Sequence, residues 1–340
     1  MTGIRRGSGS SAGGSRRWAL VALAVLGIGL ALAPVGFKMF ERGPKGAQMM
    51  DEFKPFMTDA RLSGFQRDIR QIDAAVHQTN GRAVVRLEGH GAAAHDRFDR
   101  RFPGFAQFRE DWPPINADMS NLMSLIKDNA GNYRAVAALP SFRIFPWFFV
   151  IPGVLLALLA IAGLLAPRAR PGLRWAFAAL GIGLVLAPAG FQMFQRAPKG
   201  ARMMTAFKTI ETRKKVETIQ GYFATIAVGQ GALRLDVVPA LKRTGLSDRD
   251  IAARYSDVDT LDRNWIPILN DMTPMIGAMS DNVDNYDAIR SLPDFRLFPW
   301  FFVAPGLLIL ALALLPGRRR RRSAARATSP LPTPSRGGAV

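Results

Sequence analysis

Residues 144–165 read IFPWFFVIPGVLLALLAIAGLL, and none of them is Asp, Glu, Lys, Arg or His. A helix needs about 20 such apolar residues to cross the hydrocarbon core of a bilayer. Three more runs without ionisable residues occur at 18–37, 175–191 and 298–315. The sequence therefore predicts an all-α membrane protein with four transmembrane helices.

The ionised residues are distributed in blocks around these runs. Residues 37–143 contain 16 Lys or Arg and 13 Asp or Glu, and residues 191–296 contain 15 and 13. The other 14 basic residues, with no acidic residue among them, lie before the first run, between the second and third, and after the fourth. Because Lys and Arg beside spans stay in the cytoplasm, we expect a plasma-membrane protein with both termini cytoplasmic and both long segments outside. This topology explains the net charge of +19 without a nucleic-acid partner.

The first run also resembles a signal peptide, since Arg16 and Arg17 precede it and Ala31 and Ala33 lie near its end. Pro34 would follow the cleavage point, which disfavours cutting there. A close copy of the run lies in mid-chain at 175–191. We therefore interpret the first run as an uncleaved anchor.

The two halves of the chain share many residues at a nearly constant separation. Residues 27–50 match residues 181–204 at an offset of 154, and Trp112 matches Trp265 at an offset of 153. This density of matches predicts two tandem parallel repeats, related by a pseudo-twofold axis along the membrane normal. Residues 62–101 and 212–254 hardly align. Their divergence indicates either specialised recognition surfaces or neutral drift on a shared frame.

These patterns predict a complete organisation of the chain. In chain order we expect a basic cytoplasmic N-terminus (1–17), a first span (18–37), a first extracytoplasmic domain (38–143), a second span (144–166), a cytoplasmic loop (167–174), a third span (175–191), a second extracytoplasmic domain (192–296), a fourth span (297–316) and a basic disordered cytoplasmic tail (317–340). Apolar residues at intervals of three and four predict mainly helical outer domains.

Local signals refine this prediction. The alternating residues 83–87 and 233–237 have the pattern of short strands. Ser247 followed by Asp250 predicts a helix start with a reciprocal cap, and Pro267 and Pro274 are expected to start or kink helices. Small residues four apart indicate close helix packing in two spans, at Gly29 and Ala33 and at Gly183 and Ala187.

Metal and cofactor sites are not expected. The chain has no cysteine, which excludes disulfides and thiolate ligands. Its three histidines are His77, His90 and His95, and a spacing of five places the last two on different faces of a helix.

Polar residues shared by the two halves are candidate site residues. They are Asp118, Asp128, Asn129 and Asn132 in the first half and Asp271, Asp281, Asn282 and Asn285 in the second. The Asp-Asn pairs could bind a cation or a polar ligand, although such residues more often cap helices and turns. Asp118 and Asp271 would be the first residues to replace if the protein were an enzyme.

A second set of candidates is apolar and lies near the predicted membrane surface. It comprises Met39, Phe40, Met49, Met50, Met193, Phe194, Met203 and Met204. Methionine-rich surfaces adapt to irregular apolar ligands, so these residues could bind lipid. Their alternative roles are interfacial anchors or domain core.

The sequence favours a non-enzymatic envelope protein that acts through paired outer domains as an accessory, scaffold or sensing subunit. Its expected partners are membrane lipids and another envelope or membrane protein. The runs that form the spans lack the ionisable residues that ion and proton carriers keep within the membrane. Binding or transport of lipid at the outer face is the alternative function.

Overall fold

The computed structural model describes residues 11–314, a range that is helical and contains no strand. The predicted tail at 317–340 and most of the predicted basic N-terminus lie outside it. The first half contains α1 (Ser11–Gly36), α2 (Met39–Phe53), α3 (Asp59–Gln78), α4 (Val84–Glu88), α5 (Ala92–Arg101), α6 (Pro103–Ala137) and α7 (Trp147–Leu165). The second half contains α8 (Arg170–Gly190), α9 (Met193–Phe207), α10 (Arg213–Ala232), α11 (Val238–Arg243), α12 (Asp248–Arg254), α13 (Ser256–Arg290) and α14 (Trp300–Leu314).

Four helical stretches are long and apolar enough to cross a membrane: Arg17–Gly36, Trp147–Leu165, Pro171–Gly190 and Phe295–Leu314. Each overlaps one of the four predicted spans. Large apolar side chains such as Leu158 and Leu186 are about 60% exposed on these helices. Such exposure suits contact with lipid rather than with water.

Glycines allow the spans to pack in two tight pairs. A Cβ atom added to Gly27 of α1 would lie 2.6 Å from the backbone nitrogen of Ala157 in α7, and one on Gly153 would lie 2.6 Å from that of Ala31. Gly181 of α8 and Gly306 of α14 contact each other in the same way. In each pair the two helix backbones touch, as small residues permit.

The predicted contacts at Gly29 and Gly183 are wrong. An added Cβ would meet no heavy atom within 4 Å at either position. Residues two apart on a helix point about 200° away from each other, so Gly29 and Gly183 face away from the contact that Gly27 and Gly181 make.

Phenylalanine rings join the two pairs of spans. The rings of Phe145 and Phe298 lie 5.3 Å apart, and those of Phe149 and Phe302 lie 4.8 Å apart. Each contact pairs residues separated by 153 positions. The same segment of each half therefore contacts its counterpart in the other half.

The remaining helices, α2 to α6 and α9 to α13, form a head whose hydrophobic core continues into the spans. The halves exchange helices in it, because α2 and α3 pack on α13 while α9 and α10 pack on α6. Gly229 of α10 shows how close this packing is, since the ring of Phe108 in α6 occupies the space of a side chain there. The two segments predicted as extracytoplasmic domains therefore contribute helices to a common core.

Local predictions in the head have mixed outcomes. The reciprocal cap is confirmed, because the Ser247 hydroxyl accepts from the Asp250 N–H and the Asp250 carboxylate accepts from the Ser247 N–H. The prediction of short strands is wrong: residues 83–87 belong to the π-helix Thr79–Ala83 and to α4, and residues 233–237 form the π-helix Leu233–Val237. Pro267 and Pro274 do not start helices but lie inside the continuous α13.

Candidate ligand-binding pocket

The methionines of the apolar candidate set lie inside the protein. All six are at most 9% exposed: Met39, Met49, Met50, Met193, Met203 and Met204. Only Phe40 and Phe194 are accessible, and each lies edge-on against a tryptophan, Trp147 and Trp300 respectively. This placement favours roles in packing and at the membrane interface over a shared lipid-binding surface.

Two tyrosine hydroxyls hold the methionine helices in place. Tyr133 of α6 donates to the carbonyl of Met50, and Tyr286 of α13 donates to that of Met204. Burial, together with the nearby Asp51 carboxylate, raises the pKa of Tyr133 to about 12. The hydroxyl therefore keeps its proton at any physiological pH.

The candidate aspartates Asp118 and Asp271 connect the two halves. Asp118 accepts hydrogen bonds from Lys215 (2.6 Å) and from the Tyr222 hydroxyl (2.9 Å). Asp271 pairs with Arg61 at 2.6 Å. Burial by itself would raise the pKa of Asp118, but the hydrogen bonds from Lys215 and Tyr222 bring it below the ordinary value. Both carboxylates are thus engaged in structural contacts.

The candidate asparagines do not cap helices, so that interpretation of them is wrong. They lie within α6 and α13, where the Asn129 amide donates to the Leu125 carbonyl and that of Asn282 donates to the Ala278 carbonyl, four residues earlier. Asn132 and Asn285 donate to these two asparagines. Asn282 also donates to Glu52 of the other half. Asp128 and Asp281 are exposed.

A polar pocket of about 420 Å³ opens between α3 and α6. Its lining includes Asp73, His77 and Asn80 on one side and Arg109, Trp112, Asn116 and Ser120 on the other. The spacings of three and four within each group place the side chains on one face of each helix. Two short stretches of helix therefore bring these polar groups together.

Hydrogen bonds orient the carboxylate of Asp73 in this pocket. Its Oδ1 accepts from Trp112 Nε1 at 2.9 Å and from Asn116 Nδ2 at 3.0 Å, and the ring of His77 lies 3.7 Å away. No donor to its Oδ2 is found among residues 11–314. The buried indole and the amide thus hold the carboxylate with one oxygen available to a ligand.

Arg109 adds no free positive charge to the pocket. Its guanidinium donates to Asp99 at 2.7 Å and to the Asn80 side chain at 3.3 Å. Since Asp99 balances Arg109, the carboxylate of Asp73 is the acidic group that the pocket lining presents. Such a pocket suits a ligand that carries hydrogen-bond donors or a positive charge.

The second half has a different surface at the corresponding positions. Where the first half has Asp73, His77, Arg109 and Asn116, the second half has Ala227, Gly231, Asp262 and Leu269. Trp112 and its counterpart Trp265 are the same in both. These four polar residues therefore occur in the first half only.

Among the polar residues of this pocket, only His77 is a candidate ligand from the sequence, and no metal site is expected there. The described residues contain no group of three His, Cys, Asp or Glu side chains that could hold a metal ion, and His90 lies outside the pocket lining, as does His95. The sequence did contain a signal for this pocket, because Asp73 and Asn116 are polar where the second half has Ala227 and Leu269. Asp73 lies in residues 62–101, where the alignment is poorest, whereas Asn116 lies in the aligned stretch between Trp112 and Asp118.

The chemistry of the pocket is the main guide to its role. It offers an oriented carboxylate, an imidazole and amides, and the nearest guanidinium is already paired. No known protein family, curated protein or solved structure matches this chain.

Proposed function

We propose that this is a multi-pass plasma-membrane protein whose head lies outside the cytoplasm and binds a small polar ligand, as a sensing or accessory subunit for another membrane protein. The observation that carries the proposal is the polar pocket around Asp73. The pocket combines an oriented carboxylate with a volume in the usual range for ligand sites, about 300–1,000 Å³.

The matching helices support an origin by tandem duplication. α3 and α10 are 20 residues long, and α6 and α13 are 35 residues long. The ion pairs between the halves also correspond, because Arg61 and Asp271 occupy the positions of Lys215 and Asp118. We infer two parallel repeats with exchanged helices, of which the first has acquired the pocket.

The charge distribution supports the proposed orientation. Arg168 lies in the loop between α7 and α8 and Arg174 lies near the start of α8, and no acidic residue accompanies them. Positive residues next to spans favour the cytoplasm. Both ends of the chain would then be cytoplasmic, and the head would face outward.

The position of the folded parts of the chain favours a role beside a partner protein in the membrane. Most of the described chain outside the spans belongs to the head, so a ligand signal would have to pass through the spans to a neighbouring protein. Crosslinking in cells tests this association with a neighbouring protein. If no neighbour is recovered in stoichiometric amount, the proposed partnership is contradicted.

Ligand binding can be tested with a probe that carries both hydroxyl groups and a positive charge. D-glucosamine is expected to raise the melting temperature of the purified full-length protein in detergent, and D-glucose to raise it less, because glucose lacks the charge that pairs with Asp73. A ligand at about 100 times its Kd stabilises by roughly 2.7 kcal/mol. Asp73→Ala should abolish the effect.

Alanine is a suitable replacement for Asp73, because Ala227 occupies the corresponding position of the second half. Asp128→Ala removes an exposed aspartate elsewhere on α6 and should leave the response unchanged. An equal shift in wild type and Asp73→Ala would contradict the proposed site. The absence of any shift with either sugar would contradict the ligand class.

A further inference from the structure

A second cavity lies within the spans themselves. It measures about 470 Å³ and is lined by apolar side chains, among them Ile151 and Pro152 of α7, Leu180, Gly183 and Ala187 of α8, and Phe302 of α14. All of these residues belong to helical stretches that can cross a membrane. Hydrocarbon, not water, is therefore the medium that reaches this cavity.

The cavity exists because the spans pack tightly within each pair and loosely between pairs. Gly27 and Gly153 bring α1 and α7 into backbone contact, as Gly181 and Gly306 do for α8 and α14. Between α7 and α8 the small residues Gly183 and Ala187 instead leave space, and a Cβ added to Gly183 would have no neighbour within 4 Å.

Aromatic rings form one end of the cavity, at the end of the spans that adjoins the head. Trp147 and Phe148 line it there, and the Phe148 ring lies 5.6 Å from that of Phe191. Arg143 lies just before the lining residue Ile144. Arg143 is exposed, and no carboxylate within residues 11–314 forms an ion pair with it, so its charge is not neutralised within this part of the protein.

We propose that this cavity holds one acyl chain of a membrane phospholipid, with the phosphate of its headgroup beside Arg143. Lipid tails are as apolar as the lining residues, so the hydrophobic effect gives no preference for the cavity over bulk lipid. Retention of a particular lipid depends instead on packing of the chain between α7 and α8 and on the attraction between Arg143 and an anionic headgroup.

The inference rests on the membrane location in the proposed function but not on the polar pocket. Loss of glucosamine binding would therefore leave it standing. Conversely, failure to retain lipid would not affect the ligand proposal.

Native mass spectrometry tests the proposal on the full-length protein. The protein is reconstituted in nanodiscs of phosphatidylglycerol and phosphatidylcholine in equal amounts and then transferred to mild detergent. Wild type should retain a stoichiometric phospholipid, enriched in phosphatidylglycerol. Gly183→Phe, which fills the cavity from an open position, should lose it. Arg143→Gln should retain lipid without the enrichment.

Leu158→Phe is the matched control, because this side chain is 58% exposed on α7 and lies outside the cavity lining. It adds a ring to α7, one of the two helices that flank the cavity, and should retain lipid like wild type. Equal retention by Gly183→Phe and Leu158→Phe would overturn the proposal. So would recovery of a free fatty acid or detergent alone, because neither carries the phosphate that Arg143 would bind.

Discussion

Replacing Gly27 with leucine is expected to separate α1 from α7 and to lower the melting temperature of the protein strongly. An added Cβ would lie 2.6 Å from the backbone nitrogen of Ala157 and 2.7 Å from the Gly153 carbonyl. Overpacking usually costs about 1–3 kcal/mol when neighbouring side chains can move. Here the obstacle is backbone, so we expect a loss at or above the top of that range.

Gly29→Leu is the control for this variant. Gly29 lies on the same helix, two residues further on, and has no neighbour within 4 Å of an added Cβ. Both variants make the same chemical change in the same apolar environment. Thermal unfolding in detergent should show Gly29→Leu close to wild type and Gly27→Leu far below it. Similar melting temperatures for the two variants would show that the close contact between α1 and α7 is absent.

Replacing Glu211 should stabilise the protein, and the gain should depend on pH. Glu211 is 4% exposed and its Oε2 is buried with no hydrogen-bond partner among residues 11–314. Burial raises the pKa of its carboxyl from 4.5 to about 8. Met57 occupies the corresponding position of the first half and is 5% exposed there, so a methionine fits this environment.

The sign of the pH dependence follows from the raised pKa. The folded protein binds this proton more tightly than the unfolded chain does, so the full stability is present below about pH 4.5. It is lost progressively as the pH rises towards 8, and the loss levels off above that value. At roughly 1.4 kcal/mol per unit of pKa difference, the total effect is a few kcal/mol.

Glu211→Gln isolates the charge from the change of shape. Melting temperatures of wild type, Glu211→Gln and Glu211→Met should be measured in the same detergent at pH 5 and pH 8. Both variants should exceed wild type by more at pH 8 than at pH 5. A difference from wild type that is the same at both pH values would show that the carboxyl is not protonated on folding.

The spans could be predicted from sequence because membrane crossing depends on composition over a long window. Runs such as 144–165 contain no ionisable residue, and their apolar composition does not depend on any single position. The contact face of each span could not be predicted in the same way. Gly27 and Gly29 are chemically identical, and only the rotation of α1 against α7 distinguishes them.

The exchange of helices in the head could not be predicted, because it joins residues far apart in sequence. Arg61 and Asp271 are separated by 210 positions, and Asp118 and Lys215 by 97. The sequence repeat indicated that Asp118 and Asp271 occupy corresponding positions. It did not indicate whether each half folds on itself or packs against the other, since both arrangements bury the same apolar faces.

The polar pocket escaped prediction for a related reason. Asp73 and Asn116 are 43 positions apart, and each is an ordinary surface residue type when taken alone. Comparison of the halves favoured residues that both share, such as Asp118 and Asp271, and these have structural roles. A pocket present in one half only is found instead among the residues that differ between the halves.

Labelling of single cysteines in intact cells tests most directly the central claim that the head lies outside the cytoplasm. The natural chain has no cysteine, so each introduced thiol is the only target. With a membrane-impermeant maleimide, Asp128→Cys on the exposed face of α6 should be labelled at once. Arg168→Cys, in the loop between α7 and α8, should react only after permeabilisation. The reverse pattern would contradict the topology, and with it the proposed outward orientation of the ligand pocket.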